Sequence, residues 1–409
     1  MNSTHIATNQ DITSAKQILA VTLIVTLISV AGIALPYPVL APLFANGNSL
    51  LTQFLNLPSE LLLGIVLGIY PLGIIIGSSM IGSLSDRHGR KRLLTLTLMG
   101  SAIGYGLTAM AAISEQYLLF CIARLLTGFC EGNIAIARAI AADLHPTIDK
   151  TRSFSLISAM GYGGYLIGPL AGGYLLYLGV DSVFWVAAAA CLACAVFSHC
   201  LLPEKLNTPC HNASKSSSLT LLKDPALKQF FIIYLLLTMG VNLYYEFYPL
   251  HLVRLFEYTS IKISWATVLL TASMITTSVW INPCIQKRLS HASASLIGIG
   301  IFIMSLLSFP FLGQSAFLIT FVTTGAGIAI YSGFLPSYLS TAYQDRPQGQ
   351  LMGMLVTIFC LGNLLAALVG GVLAIVDVKI ALLAGSLTTF VAFWLFYVGH
   401  NRHKLWPQN

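Results

Sequence analysis

Residues 82–93 read Gly82-Ser83-Leu84-Ser85-Asp86-Arg87-His88-Gly89-Arg90-Lys91-Arg92-Leu93, a short polar and basic stretch set between two long apolar runs. Gly82 lets a neighbour pack closely at a helix end, and Asp86 can cap or oppose a helix end. Gly89 permits a turn, and the basic cluster suits the anionic headgroups of a bilayer. A loop of this kind has meaning only if its flanks cross a membrane, and the composition says that they do. The chain of 409 residues is 56% apolar and 9% charged, with a mean hydropathy of +0.81. Soluble domains carry about 25% charge, so water is not the solvent for most of this chain.

Outward from that loop, twelve apolar runs are long enough to span a bilayer as helices. They lie at about residues 17–44, 60–81, 93–113, 117–142, 153–179, 183–202, 228–256, 262–284, 293–313, 316–342, 350–376 and 380–400. The expected fold is therefore an all-α membrane protein. An even number of spans puts both termini on one side, and the positive-inside rule says which. Sixteen of the 21 Lys and Arg residues fall on the side shared with the termini, including Arg87, Arg90, Lys91 and Arg92, so both termini are expected in the cytoplasm. The polar segment 203–227 is the longest connection on that side. It divides the chain into an N-terminal half, 1–202, and a C-terminal half, 228–409, as in secondary transporters built from repeats.

This arithmetic leaves no room for a large soluble domain. The net charge of +7 occurs in no long basic run, which argues against a nucleic-acid partner. There is no G-x-x-x-x-G-K-[ST] stretch for nucleotide hydrolysis and no Ser or Cys paired with a base, so an enzyme is not expected and an ion gradient is the expected energy source. The first apolar run is too long for a cleaved signal. Eight cysteines bring no disulfide or metal framework. The cluster Cys191, Cys194, His199 and Cys200 lies in one helical run, too spread out for a single tetrahedral ion, and reads as packing. No cofactor and no metal are expected. The partners expected are a small-molecule substrate, protons and lipid, with the chain acting as a monomer.

The combination G-x-L-S-D-R-x-G-R-K between the second and third spans resembles the signature of the major facilitator superfamily. The resemblance implies two six-helix halves around a central cavity, working by alternating access. It implies that Gly82, Asp86, Arg87, Gly89, Arg90 and Lys91 form a cytoplasmic latch, with Arg138 at the inner end of the fourth span facing the acid. In the fifth span, Gly161, Gly164, Gly168, Pro169, Gly172 and Gly173 form a small-residue stripe where another helix can approach closely. The stripe Gly161-x-x-x-Tyr-x-x-Gly168-Pro169-x-x-Gly172-Gly173 looks like the fifth-helix motif of proton-coupled drug exporters in this superfamily. Arg124-x-x-x-Gly128, Ala142-Asp143, Leu202-Pro203-Glu204 and Gln348-Gly349-Gln350-Leu351-x-Gly353 extend the resemblance to its tetracycline/multidrug antiporter branch. That branch commonly carries an Asp early in the first helix, where this chain has Ser29.

The charges left inside the apolar runs are the candidate machinery. Arg124, Glu131 and Arg138, seven residues apart, are read as sharing one face of the fourth helix, which is expected to line the cavity or meet the opposite half. Glu131, Arg124 and Glu246 are the proton-coupling candidates. The structural alternative is a latch role for Arg138 and a neutral buried pair of Arg124 with Glu131. In the seventh span, Asn242, Tyr245 and Glu246 are read as sharing a face, as a substrate contact or gate or else as part of an interfacial aromatic belt. The superfamily resemblance adds Tyr331, Ser332 and Tyr338 of the tenth span as cavity candidates. The expected function is proton-coupled export of a small amphipathic, drug-like molecule across a bacterial-type inner membrane. The alternatives are transport of an anionic metabolite such as a siderophore or polycarboxylate, suggested by the Arg excess of the fourth span, and a non-transporting receptor with a transporter fold.

Overall fold

The computed structural model describes residues 9–47, 49–131, 133–144, 147–148, 150–203, 221, 223–313, 317–343 and 348–401. Among the described residues the chain is helical and has no strands. The helices are α1 Asn9–Ala34, α2 Tyr37–Asn46, α3 Ser59–His88, α4 Arg90–Ile113, α5 Tyr117–Cys130, α6 Asn133–Asp143, α7 Lys150–Leu175 and α8 Val180–Leu201. They continue as α9 Pro225–Phe256, α10 Ser260–Thr276, α11 Asn282–Gln286, α12 His291–Ser308, α13 Phe317–Ala342, α14 Gln348–Val376 and α15 Val378–Asn401. A π-helical turn, Thr277–Ile281, joins α10 to α11.

Ten of the described segments are long and apolar enough to cross a membrane. The fourth span is α5 with α6, and the fifth is α7, which completes the twelve-helix fold. Outward-pointing side chains such as Ile103, Met110, Trp280 and Leu387 are each more than half exposed, as a protein solvated by lipid tails requires.

Local chemistry accounts for the helix ends. The first span is broken between Ala34 and Tyr37, where Pro36 supplies no N–H; Pro38 falls in the first turn of α2, where none is needed. Gly89 has φ +91°, a conformation that L side chains rarely adopt, and it turns α3 into α4 without a side-chain cap. Asp224 caps α9 by accepting from Ala226 N at 3.1 Å, ahead of Pro225 in the first turn.

The helices pack into two compact units. The first comprises residues up to Pro36 together with Leu72–Ser214, and the second comprises Tyr37–Pro71 together with Lys215 onward. The chain passes between units at two prolines inside its first two spans, so α2 and the first part of α3 fold with the second unit. The segment 203–227 lies largely outside the described residues.

In the first unit α4 packs on α8 and α5, and α1 on α7. A Cβ on Gly168 would lie 2.4 Å from Ala31 O, and one on Gly172 would lie 2.2 Å from Leu35 O, so α7 meets the backbone of α1 directly. In the second unit α9 packs on α14 and α15, α12 on α13, and α2 on α9. Here Gly362 abuts the Thr238 hydroxyl of α9 and Gly370 abuts the Phe247 ring.

The two seams share a sequence. Gly164-Tyr-Leu-Ile-Gly168-Pro-Leu-Ala-Gly172-Gly173 in α7 has its counterpart in Gly362-Asn-Leu-Leu-Ala366-Ala-Leu-Val-Gly370-Gly371 in α14. Eight of ten positions in this register are identical or exchange Gly for Ala, Ile for Leu or Ala for Val. The stripe that marks the first half is thus repeated in the second, at the equivalent helix.

Candidate functional site

Two clusters of polar side chains are buried inside the spans, one in each unit. The first is organised by a break in the fourth span. α5 ends at Cys130, and Glu131, with φ −73° and ψ 20°, leaves the helical path before α6 begins at Asn133. The Glu131 N–H is shared between Thr127 O and Gly128 O, each at 3.1 Å, which closes the last turn. The carboxyl therefore sits at a helix discontinuity, a place where transporters commonly put ion-handling groups.

Glu131 and Arg124 are each 3% exposed, and Asn133, Ser101 and Tyr105 are fully buried. The Glu131 carboxyl is within electrostatic reach of the Asn133, Tyr105, Ser101 and Arg124 side chains, but neither of its oxygens makes a hydrogen bond among the described residues. Gly104 makes this possible, because a Cβ there would stand 2.5 Å from the Thr127 hydroxyl and push α4 off α5. Across the cluster, the Tyr105 hydroxyl points at Gly32 of α1, where a Cβ would be 2.8 Å away. Ser29, one turn earlier on α1, is fully buried, with its hydroxyl unpartnered among the described residues.

The break at Glu131 interrupts the helical count, and Arg138, on α6, is exposed while Arg124 and Glu131 are buried. The neighbours of the buried pair, Ser101 and Tyr105 of α4, belong to the same unit.

The second cluster lies on α9. Asn242 Nδ2 donates to Thr238 O at 2.8 Å, and Asn363 Nδ2 of α14 donates to Asn242 Oδ1 at 2.9 Å. One turn beyond Asn242, Glu246 is 2% exposed, and neither carboxyl oxygen has a hydrogen-bond partner among the described residues. Tyr245 departs from this face: half-buried, it directs its hydroxyl to Met274 Sδ of α10 at 3.2 Å. The aromatic run is not an interfacial belt. Tyr244 and Tyr248 are buried, stacked at 5.1 Å, and packed edge-on against Phe309 and Phe321.

The tenth-span candidates do not gather. Tyr331 is 5% exposed and packs against Phe302 of α12, and Ser332 returns its hydroxyl to Ala329 O at 3.5 Å. Tyr338 packs edge-on against Phe396 and His400 of α15.

At the expected latch, Gly82, Asp86 and Arg87 fall in the last turns of α3, and their side chains lie outside the described residues. Arg90 Nε donates to Asp143 Oδ2 at 3.2 Å, tying the start of α4 to the end of α6. Lys91 is 7% exposed. Sequence reasoning noted Asp143 as a motif residue without pairing it to Arg90. A second pair was missed outright: Arg254 in the last turn of α9 meets Glu60 in the first turn of α3, within the second unit. Beside it, a Cβ on Gly64 would lie 2.5 Å from Ala367 O. The signal available in sequence was an opposite charge pair at two span ends, too common to act on. The motif glycines also divide: Gly164, Gly168 and Gly172 meet α1, whereas nothing lies within 4 Å of a Cβ on Gly161.

Among the described residues no group of His, Cys, Asp or Glu could hold a metal ion, and the seven described cysteines are free. Long apolar helices that carry buried carboxyls are those of a multi-pass membrane protein. The sequence profile of the Major Facilitator Superfamily matches residues 19–354, and the chain belongs to that family. It is similar to the class H tetracycline resistance protein of Pasteurella multocida, 25% identical over 346 residues that cover 82% of this chain and 84% of that protein. Two solved structures share the fold. One is a bacterial homologue of the human lysosomal transporter Spinster in an inward-facing, unoccupied conformation, with TM-score 0.77, 12% identity and coverage of 97% and 99%. The other is the human organic anion transporter MFSD10, with TM-score 0.67, 18% identity and coverage of 93% and 99%.

Proposed function

We propose that this transporter exports a small amphipathic, drug-like molecule across a bacterial inner membrane in exchange for protons, by alternating access between two six-helix halves joined by the 203–227 segment, with both termini in the cytoplasm. The observation that carries the reading is Glu131, a carboxyl buried at a helix break among hydroxyl, amide and guanidinium groups. A carboxyl held in such a place binds and releases a proton only when the surrounding helices move, and that links protonation to conformation. Glu246, beside the Asn242–Asn363 pair, is the second candidate, as a proton or substrate contact. The tetracycline resistance protein named above supports the export direction.

Export in exchange for protons is tested in proteoliposomes with an imposed pH gradient, using tetracycline, a cationic dye and a polycarboxylate as probes. Accumulation of tetracycline or the dye, lost in Glu131→Gln, is the expected result. Full gradient-driven accumulation in that variant removes Glu131 from the coupling. Movement of the polycarboxylate alone supports the anionic alternative. That alternative rests on the Arg excess of the fourth span and on Ser29 where the tetracycline/multidrug antiporter branch commonly carries an Asp. Absence of flux for every probe points to the receptor alternative.

A further inference from the structure

Glu246 is the single charged residue of α9 between Lys228 and Arg254. Of the helices packed on α9, α2 and α14 carry no charge at all, and α15 has only Lys379 and His400, one at each end. Lys228 is about 27 Å away along the helix axis, and Arg254, two turns outward, is taken by Glu60. The Glu246 carboxyl is buried, and neither oxygen makes a hydrogen bond among the described residues. A buried acid is costly in that condition unless a ligand meets it. Its surroundings indicate which. Asn242, one turn back, donates to Thr238 O at 2.8 Å and accepts from Asn363 Nδ2 at 2.9 Å. That leaves Asn363, which is half-buried, with an Oδ1 that accepts nothing among the described residues. α14 follows α9 closely here: a Cβ on Gly362 would lie 2.4 Å from the Thr238 hydroxyl, and one on Gly370 would lie 2.2 Å from the Phe247 ring. The stretch between those glycines therefore runs beside the turn from Asn242 to Glu246, and its Ala366 and Ala367 take little room. A long side chain on a helix leans back over the preceding turn, which carries the carboxyl toward Asn242 and Asn363.

We propose that Glu246 and Asn363 form a subsite for a protonated amine, so that the substrate carries a primary or secondary ammonium head. The two Glu246 oxygens and Asn363 Oδ1 are all acceptors, and an ammonium supplies both the missing positive charge and the N–H donors they lack. These oxygens are too few for a hard metal ion, which takes about six. On the flank of the same face, the Tyr245 hydroxyl is held to Met274 Sδ of α10 at 3.2 Å, so an aromatic ring and a thioether border the site and suit an apolar body behind the head. The inference rests on the reading of Glu246 as a substrate contact, and it narrows the amphipathic molecule to one with a basic nitrogen.

Equilibrium binding to the full chain in lipid nanodiscs tests the subsite with three probes that share one apolar body: naphthylmethylamine, its N-trimethylated analogue and naphthylmethanol. Empty nanodiscs correct for partitioning into lipid. Wild type at neutral pH is expected to bind the amine at least about tenfold more tightly than the alcohol. The trimethylated analogue should fall between them, because it keeps the charge and loses every N–H. Glu246→Gln, which keeps the shape and removes the charge, is expected to bring the amine down to the affinity of the alcohol. Glu246→Asp, with the charge on a shorter arm, is expected to retain part of the preference. Wild type without a preference for the amine, or a preference that survives Glu246→Gln, overturns the subsite. A trimethylated analogue bound as tightly as the amine overturns the part given to Asn363. Binding at equilibrium needs no gradient, so the subsite and the proton exchange fail separately. An amine preference lost in Glu246→Gln, in a chain that shows no gradient-driven flux, overturns the exchange and leaves the subsite standing; gradient-driven flux without an amine preference does the reverse.

Discussion

Arg90 Nε donates to Asp143 Oδ2 at 3.2 Å, so the basic loop between the second and third spans is anchored to the end of the fourth. The pair is partly solvated, with side-chain exposures of 16% and 46%. An exposed ion pair is worth about 0.2–1 kcal/mol, so Asp143→Asn should lower thermal stability in detergent only slightly. Transport should suffer more, because α6 also follows directly from the break at Glu131. A thermal shift assay run beside a flux assay checks both, and a large loss of stability would contradict the partly solvated geometry.

Gly89 carries a stricter requirement. At φ +91° a side chain is strained, and Gly89→Ala should cost about 1–3 kcal/mol, more than loss of the ion pair next to it. The melting temperatures of the two variants, compared directly, test that order.

Within the fifth-span motif the glycines should behave differently although they look alike in sequence. A Cβ on Gly172 would stand 2.2 Å from the Leu35 carbonyl oxygen, a backbone atom that cannot turn aside, so Gly172→Ala should cost about 1–3 kcal/mol by forcing α7 away from α1. Gly161 has open space, and Gly161→Ala should be neutral or stabilise by up to about 1 kcal/mol through helix propensity. Equal effects at both positions would mean that the stripe is not set by its contact with α1.

These contrasts show what could be read without coordinates. The twelve spans followed from hydropathy because lipid imposes one composition on every crossing, and the stripe at Gly164, Gly168 and Gly172 followed from its four-residue period. The break at Glu131 could not be read, because Gly132 inside an apolar run is as compatible with a continuous helix as with a discontinuity. For the same reason the burial of Arg124 and Glu131 could not be told apart from the exposure of Arg138. The repeat between α7 and α14 was present in the letters but hidden by exchanges of Gly for Ala and Pro for Ala; the matching seams on α1 and α9 make its register visible. The Glu60–Arg254 pair depends on two helix ends 194 positions apart meeting in space, which no local pattern reports.

At the α9–α14 seam, Asn242 and Asn363 are matched amides, and removal of one leaves the other buried without its partner. Asn363→Ala should therefore cost about 1–3 kcal/mol, whereas replacing both with Leu should cost less than the sum of the single changes. A double-mutant cycle on thermal unfolding measures the coupling, and strict additivity would show that the hydrogen bond contributes nothing.

The Glu60–Arg254 pair allows a test of charge rather than shape. Glu60 has a side-chain exposure of 13%, so it is poorly placed to be rescued by water when its partner is lost. Arg254→Glu puts two like charges together next to the close contact of Gly64 with Ala367 and should destabilise by about 1–3 kcal/mol. Glu60→Arg alone should do the same. The double exchange restores attraction and should recover most of the loss, because the glycine contact that sets the helix separation is untouched. Salt separates this from a packing effect: the penalty of each single variant should shrink at high ionic strength, while that of a Gly64→Ala control should not. If the double exchange is as unstable as the sum of the single changes, the close contact at Gly64 holds α3 on α14 without help from the ion pair.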